Sequence, residues 1–254
     1  MNFENKTVII TGGAKGIGAA CVKNFRRKNA NVVILDIDEQ GAELASAADD
    51  HVLFLKTDIT VEAEVKNAID YAAKIFGGID VLVNNAAIQY YARVTECTVE
   101  QWDKTFAVNV RGGFLCAKYA IPYMQNRGAG VVINMSSVQA IVSQSQVAAY
   151  ASSKEAQLGL TRCIAIDYAP EIRSVAICPG SVNTPLFQSL IAQSADPASS
   201  LRESEEMHLA KRLADPDEIA EFVAWLSSDH AKFITGQAFR IDGGLGIMIP
   251  GSKK

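Results

Sequence analysis

The sequence predicts an α/β protein in which one doubly wound parallel sheet carries helices on both faces. Short β-branched runs alternate with helix-length amphipathic stretches from end to end, the pattern of strands joined by helical crossovers. Several runs are apolar on consecutive residues (VVILD, VLVNN, VVINM), as strands covered on both faces require. At 254 residues and 49% hydrophobic, the chain can bury such a core without disulfide or metal staples.

Taken in chain order, the elements are these. Residues 7–11 (TVIIT) are all β-branched and form the first strand, and a helix follows at 17–28. NVVILD at 31–36 is the second strand, followed by a helix at 39–48. The third strand is 51–57 and its helix 61–76; the fourth is 79–83, followed by one long helix at 99–125. Strands at 130–135, 174–178 and 237–241 complete seven, with helices at 148–169 and 217–227 between them. Asp217, after Pro216, supplies N-terminal chemistry for the last helix. No linker, repeat or charge block interrupts the pattern, so residues 1–254 read as a single domain. Residues 181–213, polar and Ser-rich, exceed an ordinary loop and read as a substrate lid.

Composition excludes several classes. A net charge of −4 with scattered Lys and Arg is the wrong footprint for a nucleic-acid or basic membrane-surface protein. Five cysteines, an odd number without CxxC spacing, read as small hydrophobes in a reducing compartment, and no metal site is expected. His51, His208 and His230 read as ordinary surface or edge residues. No apolar run approaches the ~18–20 residues of a membrane span. The first apolar segment runs straight into a glycine turn, so it is no signal peptide and the protein is expected in the cytoplasm.

That turn, Thr11-Gly12-Gly13-Ala14-Lys15-Gly16-Ile17-Gly18, closes the first strand and opens the first helix. Gly12 permits a tight turn, Gly16 lets backbone approach a pyrophosphate, and Gly18 lets helix pack on strand. The helix N-terminus then offers N–H groups and a positive dipole end to phosphate. Eighteen residues past Gly18, Asp36 ends the second strand. A carboxylate there accepts ribose hydroxyls and repels a 2′-phosphate, which favours NAD. Lys15, a basic residue in the turn, keeps NADP as the less favoured alternative.

The spacing TGxxxGxG, with Asn84-Asn85-Ala86-Ala87 after the fourth strand, Tyr150-Ala-Ser-Ser-Lys154 and Pro179-Gly180, resembles the short-chain dehydrogenase/reductase family from Lys6 to Gly244. Ala87 replaces the glycine of that family's NNAG, and Ser174-Val175 replaces its frequent Val-Asn. The resemblance implies a Rossmann fold and a catalytic set of Asn109, Ser137, Tyr150 and Lys154. It implies cofactor contacts from Gly12, Lys15, Gly16, Ile17 and Gly18 at the phosphates, Asp36 at the ribose, and Asp58 and Ile59 by the adenine. Asn85 and Ala86 would line the groove, and Pro179, Gly180, Val182 and Thr184 would meet the nicotinamide end. Tyr150 and Lys154 would also touch the cofactor. A narrower similarity, in Ser136–Ala140, 165–170 and 242–245, is to sugar dehydrogenases of the D-aldohexose type, and related stretches occur in hydroxysteroid and acyl-reductase relatives.

Tyr150 and Lys154, four apart, share a helix face. A free phenol titrates near ~10, and a neighbouring ammonium with an oxidised nicotinamide favours phenolate. Tyr150 would then act as the base toward a substrate hydroxyl, with Ser137 bonding the same oxygen. Asn109 would hold a water linking Lys154 to solvent. Gln89, Tyr90, Tyr91, Gln139, Gln144 and Gln146 follow strand ends where a substrate sits. Their amides suit a hydroxyl-rich substrate, of which a sugar is favoured and Gln89, Gln139, Gln144 and Ser137 the expected contacts; a solvated loop fits the same residues. The alternatives are a steroid, a 3-oxoacyl thioester or a small secondary alcohol, or a non-catalytic dinucleotide sensor on the same fold. The resemblance implies a homotetramer, and the apolar residues of 99–125 and 148–169 exceed what one sheet face can cover.

Overall fold

The computed structural model describes residues 1–47 and 50–247. They form one seven-stranded, wholly parallel sheet in the order β3-β2-β1-β4-β5-β6-β7. The strands are β1 (Thr7–Thr11), β2 (Asn31–Asp36), β3 (Val52–Lys56), β4 (Val81–Asn84), β5 (Gly130–Met135), β6 (Ile172–Pro179) and β7 (Ala238–Ile241). Three match the sequence reading at both ends. β6 begins two residues earlier and β4 two residues later than expected, because pairing with neighbours sets those limits.

Helices α1 (Gly16–Arg27), α2 (Gln40–Ser46) and α3 (Glu62–Phe76) follow the first three strands. The last expected residue of the second helix, Ala48, lies outside the described residues. After β4 the chain enters α4 (Val99–Phe106), a π-helical segment at Ala107–Gly112, and α5 (Gly113–Asn126). The single helix expected at 99–125 is therefore widened in its middle. Gly112 and Gly113 bring that widened turn against the sheet. A Cβ on Gly112 would lie 2.5 Å from Ile59, and one on Gly113 would touch Asn84. Pi-helical turns of this kind tend to sit at functional sites.

A 3₁₀ turn at Val138–Ala140 precedes α6 (Ala148–Tyr168). The expected lid stretch is helical rather than open: α7 (Pro185–Ala192) and α8 (Pro197–Glu206) each start on Pro behind a capping residue, Thr184 and Asp196. The final helix, α9 (Pro216–Ser227), is capped by Asp215, not Asp217, in a capping box with Glu218.

Each sheet face buries its own core. Phe25, Val22, Ile219 and Val223 of α1 and α9 cover one face over Val8, Ile10 and Ile133; Ile69, Leu115, Ile121 and Met124 of α3 and α5 cover the other over Ile9, Leu82 and Val132. Burying a Leu, Ile or Phe contributes roughly 1.5–3 kcal/mol each, so these two layers fix the sheet as a rigid base. The strand order reverses between β1 and β4, and there the C-terminal strand ends open a crevice.

Candidate active site

A cleft of about 970 Å³ opens at these strand ends. At one end the glycine turn, Asp36, Asp58 and Ile59 line it; Ser137, Tyr150 and Lys154 lie in the middle; α7 and Met207 form the far wall.

The glycine turn is shaped by near-contact. Gly12 and Gly16 take positive φ of 63° and 55°, and a Cβ on Gly18 would fall 2.0 Å from the Gly12 carbonyl. Asn85 secures the turn, donating from Nδ2 to the carbonyls of Thr11 and Gly12 at 3.0 Å each. At the N-terminus of α1, Lys15 offers no side-chain cap and the first turn holds no acidic residue. That helix end is thus open to an anion. Asp36 accepts the Ala14 N–H at 2.9 Å through one oxygen and the Asp38 N–H at 3.0 Å through the other. Lys15 pairs with Asp38 at 2.5 Å, and that bond holds the Asp38 carboxyl below its usual range. Glycines that admit no side chain, an uncapped helix end and an oriented strand-end carboxylate together fit a dinucleotide.

Asp58 accepts from the N–H and hydroxyl of Thr60, and both it and Ile59 face the cleft. Ala86, Pro179, Gly180, Val182 and Thr184 line it as well. Thr184 also reaches the glycine turn: a Cβ on Gly16 would lie 3.2 Å from it.

In the middle of the cleft, Ser137 Oγ accepts the Gln139 N–H at 3.1 Å and bonds the Tyr150 hydroxyl. Lys154 is 1% exposed, its Nζ 5.5 Å from the centre of the Tyr150 ring and donating to the Met135 carbonyl at 2.7 Å. The pKa directions differ from the sequence expectation. Burial pushes the Tyr150 phenol up to about 12, reinforced by Tyr91 and opposed by the Ser137 bond. Burial also pulls the Lys154 ammonium down to about 7. In the protein alone, desolvation of each buried group sets both directions.

Asn109, brought in by the π-helical turn, is 1% exposed. Its Oδ1 accepts the Ile88 N–H at 2.8 Å, and its Nδ2 donates to the Ile88 carbonyl and Ser153 Oγ, each at 3.0 Å. Its own carbonyl accepts the Gln157 amide at 2.6 Å.

Gln89, Gln139 and Gln144 all line the cleft. Gln144 donates to the Tyr91 hydroxyl at 3.3 Å, whereas Gln89 Nε2 and Gln139 Oε1 are buried without a hydrogen-bond partner. Gln146 lies outside the lining and sits at a positive φ of 64°. Leu186, Phe187, Leu190, Ile191 and Met207 add an apolar lining to the same cleft.

Two residues were missed in the sequence. His208 is not a surface residue but 2% exposed. Its Nε2 accepts the Ser181 N–H at 3.1 Å and its Nδ1 donates to the Ser204 carbonyl at 2.7 Å, tying α8 to the turn after β6. Nothing in its local pattern marks it. Gln157 did leave a signal, a polar residue seven past Tyr150 and three past Lys154 on the same helix face.

Fold and cleft define a dinucleotide-binding α/β protein with a Tyr–Lys pair at the crevice. The chain belongs to the short-chain dehydrogenase/reductase family. Residues 12–246 match the family model described as enoyl-(acyl carrier protein) reductase. A 2,5-dichloro-2,5-cyclohexadiene-1,4-diol dehydrogenase of Sphingobium indicum is 37% identical, over 96% of this chain and 98% of its own. The ligand-free aldohexose dehydrogenase of Thermoplasma acidophilum superposes with a TM-score of 0.93 at 35% identity, covering 99% of this chain and 98% of that one. A 3-ketoacyl-(acyl-carrier-protein) reductase from Brucella melitensis, complexed with NADH, gives 0.89 at 33% identity, covering 96% and 99%. The protein is thus an oxidoreductase that works on hydroxyl or carbonyl groups with a nicotinamide dinucleotide. Among the described residues no helix is long and apolar enough to cross a membrane.

Proposed function

We propose that the protein is an NAD-dependent dehydrogenase of a ring-borne secondary hydroxyl, with an aldose as the favoured substrate. The observation that carries this is the pair of orphaned amide atoms. Gln89 presents a donor and Gln139 an acceptor, both buried at the cleft and both without a protein partner. A buried unpaired polar atom costs about 1–3 kcal/mol, and adjacent sugar hydroxyls, which donate and accept, would relieve both. The aldohexose dehydrogenase and the cyclohexadienediol dehydrogenase among the relatives are named for ring substrates, which supports the same reading. The apolar wall from Leu186 to Met207 favours a second reading, a less polar cyclic alcohol.

In this mechanism Tyr150 takes the proton from the substrate hydroxyl, and Ser137 bonds the same oxygen as charge develops on it. Lys154 would support the phenolate and hold the nicotinamide ribose, and Asn109 pins the Ile88 loop against α6. The bound dinucleotide supplies the hydride acceptor and a positive charge that opposes the upward shift of Tyr150. An absorbance screen at NADH wavelengths, over aldoses, polyols, cyclic and small secondary alcohols and hydroxysteroids, tests the substrate. Fastest turnover with an aldose is expected. Turnover confined to apolar alcohols would select the second reading, and NADH binding without turnover on any substrate would favour the sensor.

For the cofactor, NAD is expected to give the higher kcat/KM. Asp36 is aimed by two backbone N–H groups, and Lys15 is engaged by Asp38 rather than free for a 2′-phosphate. Asp36→Ala should narrow the gap by removing that repulsion, as read from kcat/KM with each dinucleotide. A wild-type preference for NADP would overturn the argument.

The same reading includes a homotetramer. Val99, Trp102, Phe114 and Ile166 are exposed on α4, α5 and α6, an arrangement that closed symmetry would cover. Light scattering at micromolar concentration should give four times the 27.3 kDa chain mass, and a monomer would refute it.

A further inference from the structure

We infer that Gln157 is a positioning residue for Lys154, one that holds its ammonium beneath Tyr150. The inference rests on the Tyr150 mechanism proposed above. Gln157 is 3% exposed on α6, and its side chain is used at both ends. Nε2 donates to the Asn109 carbonyl at 2.6 Å, while Oε1 accepts from Lys154 Nζ at 3.5 Å. The amide therefore bridges two groups that lie on different elements, the π-helical turn and α6.

The bridge has a chemical consequence. Lys154 has three N–H donors and, in its buried position, two protein acceptors: the Met135 carbonyl on β5 and Gln157 Oε1. These two acceptors sit on the protein side, which leaves the remaining donor for the cleft that Lys154 lines. The titratable groups facing the ammonium are Tyr150 on its own helix and Cys178 on β6, whose thiol burial keeps protonated. Neither of these groups is a carboxylate. With no carboxylate to hold the charge, the carbonyl end of Gln157 is one of the few dipoles that favour the ammonium. The anchor at Asn109 matters equally, because it fixes which end of the amide faces Lys154. A carbonyl hydrogen bond at one end forces the NH₂ there and presents the oxygen to the cation.

Gln157→Met keeps length and helix propensity but removes both bonds; Gln157→Leu serves the same purpose should the Met variant fail to fold. Weaker support for the ammonium means weaker support for the phenolate. The acid limb of kcat/KM for alcohol oxidation, which rises as Tyr150 deprotonates, should then move to higher pH by about half a unit or more, roughly threefold in rate on that limb. In the protein without cofactor, ¹⁵N NMR of the Lys154 ammonium should show its titration displaced downward. NADH binding should change little. Gln157→Ser leaves room for water to bridge the same two groups and should return the limb toward the wild-type position. An acid limb and a Lys154 titration unmoved in the apolar variant would overturn the inference and reduce Gln157 to a packing role. Tyr150→Phe is measured alongside. If that variant turns over like the wild type, the underlying mechanism fails; if it is inactive while the limb stays fixed in the Gln157 variant, only the positioning role fails.

Discussion

Tyr150→Phe is expected to lower turnover by about 10²–10⁴-fold, the range typical of losing a general acid or base. The substitution removes one oxygen and its bond to Ser137, and it leaves the ring beside Lys154. Thermal stability should hold, since the phenol's burial raises its pKa and gives the folded state no charged tyrosine to lose near neutral pH. NADH binding should persist as well. Ser137→Ala should also slow turnover with cofactor affinity nearly intact. Steady-state kinetics and fluorescence titration with NADH check both. A Tyr150→Phe enzyme retaining more than about a tenth of wild-type activity, far less than the expected loss, would refute the role given to this residue.

The second large effect is expected of Lys154→Met, which should lower both rate and NAD affinity. Under the proposed mechanism it removes the charge that would favour phenolate and the contact Lys154 would make to the nicotinamide ribose, so kcat and KM for NAD should worsen together. Stability should respond in a pH-dependent way that Tyr150→Phe does not share. Lys154 titrates at about 7 in the folded protein against an ordinary 10.5, because burial disfavours its charge. The unfolded chain binds that proton more tightly, so the folded wild type gains stability as pH rises from about 7 to 10.5 and bears the full cost of the buried ammonium below about 7. The Met variant carries no such cost. Its melting temperature relative to wild type should therefore be most favourable near pH 6 and lose ground toward pH 10. A melting difference independent of pH would show that Lys154 keeps its ordinary titration in the folded protein.

Much of the site could be read before any coordinates. TVIIT ends on a glycine turn that opens a helix, as the spacing predicts, and in the structure Asn85 and Asp36 each bond that turn. Tyr150 and Lys154 face one cleft because four residues make about one helical turn, whatever the helix packs against. Lys15 is ambiguous in the sequence because its ion-pair partner, Asp38, lies 23 residues further along the chain.

Other features depended on packing between distant parts of the chain. The widened turn at Ala107–Gly112 packs where a side chain on Gly112 or Gly113 would meet Ile59 or Asn84, neighbours 53 and 29 residues away. Its effect is to deliver the Asn109 carbonyl to Gln157, a bond that spans 48 residues. His208 is buried only because α8 folds back over the turn after β6. The upward shift of Tyr150 and downward shift of Lys154 belong to the same class, since desolvation depends on every element that closes around them. Strand runs, glycine spacing and helix faces are local and periodic, so the order of residues along the chain is enough to specify them. Burial, orphaned amides and cross-chain bridges arise from which surfaces meet in three dimensions, and only the folded arrangement decides those.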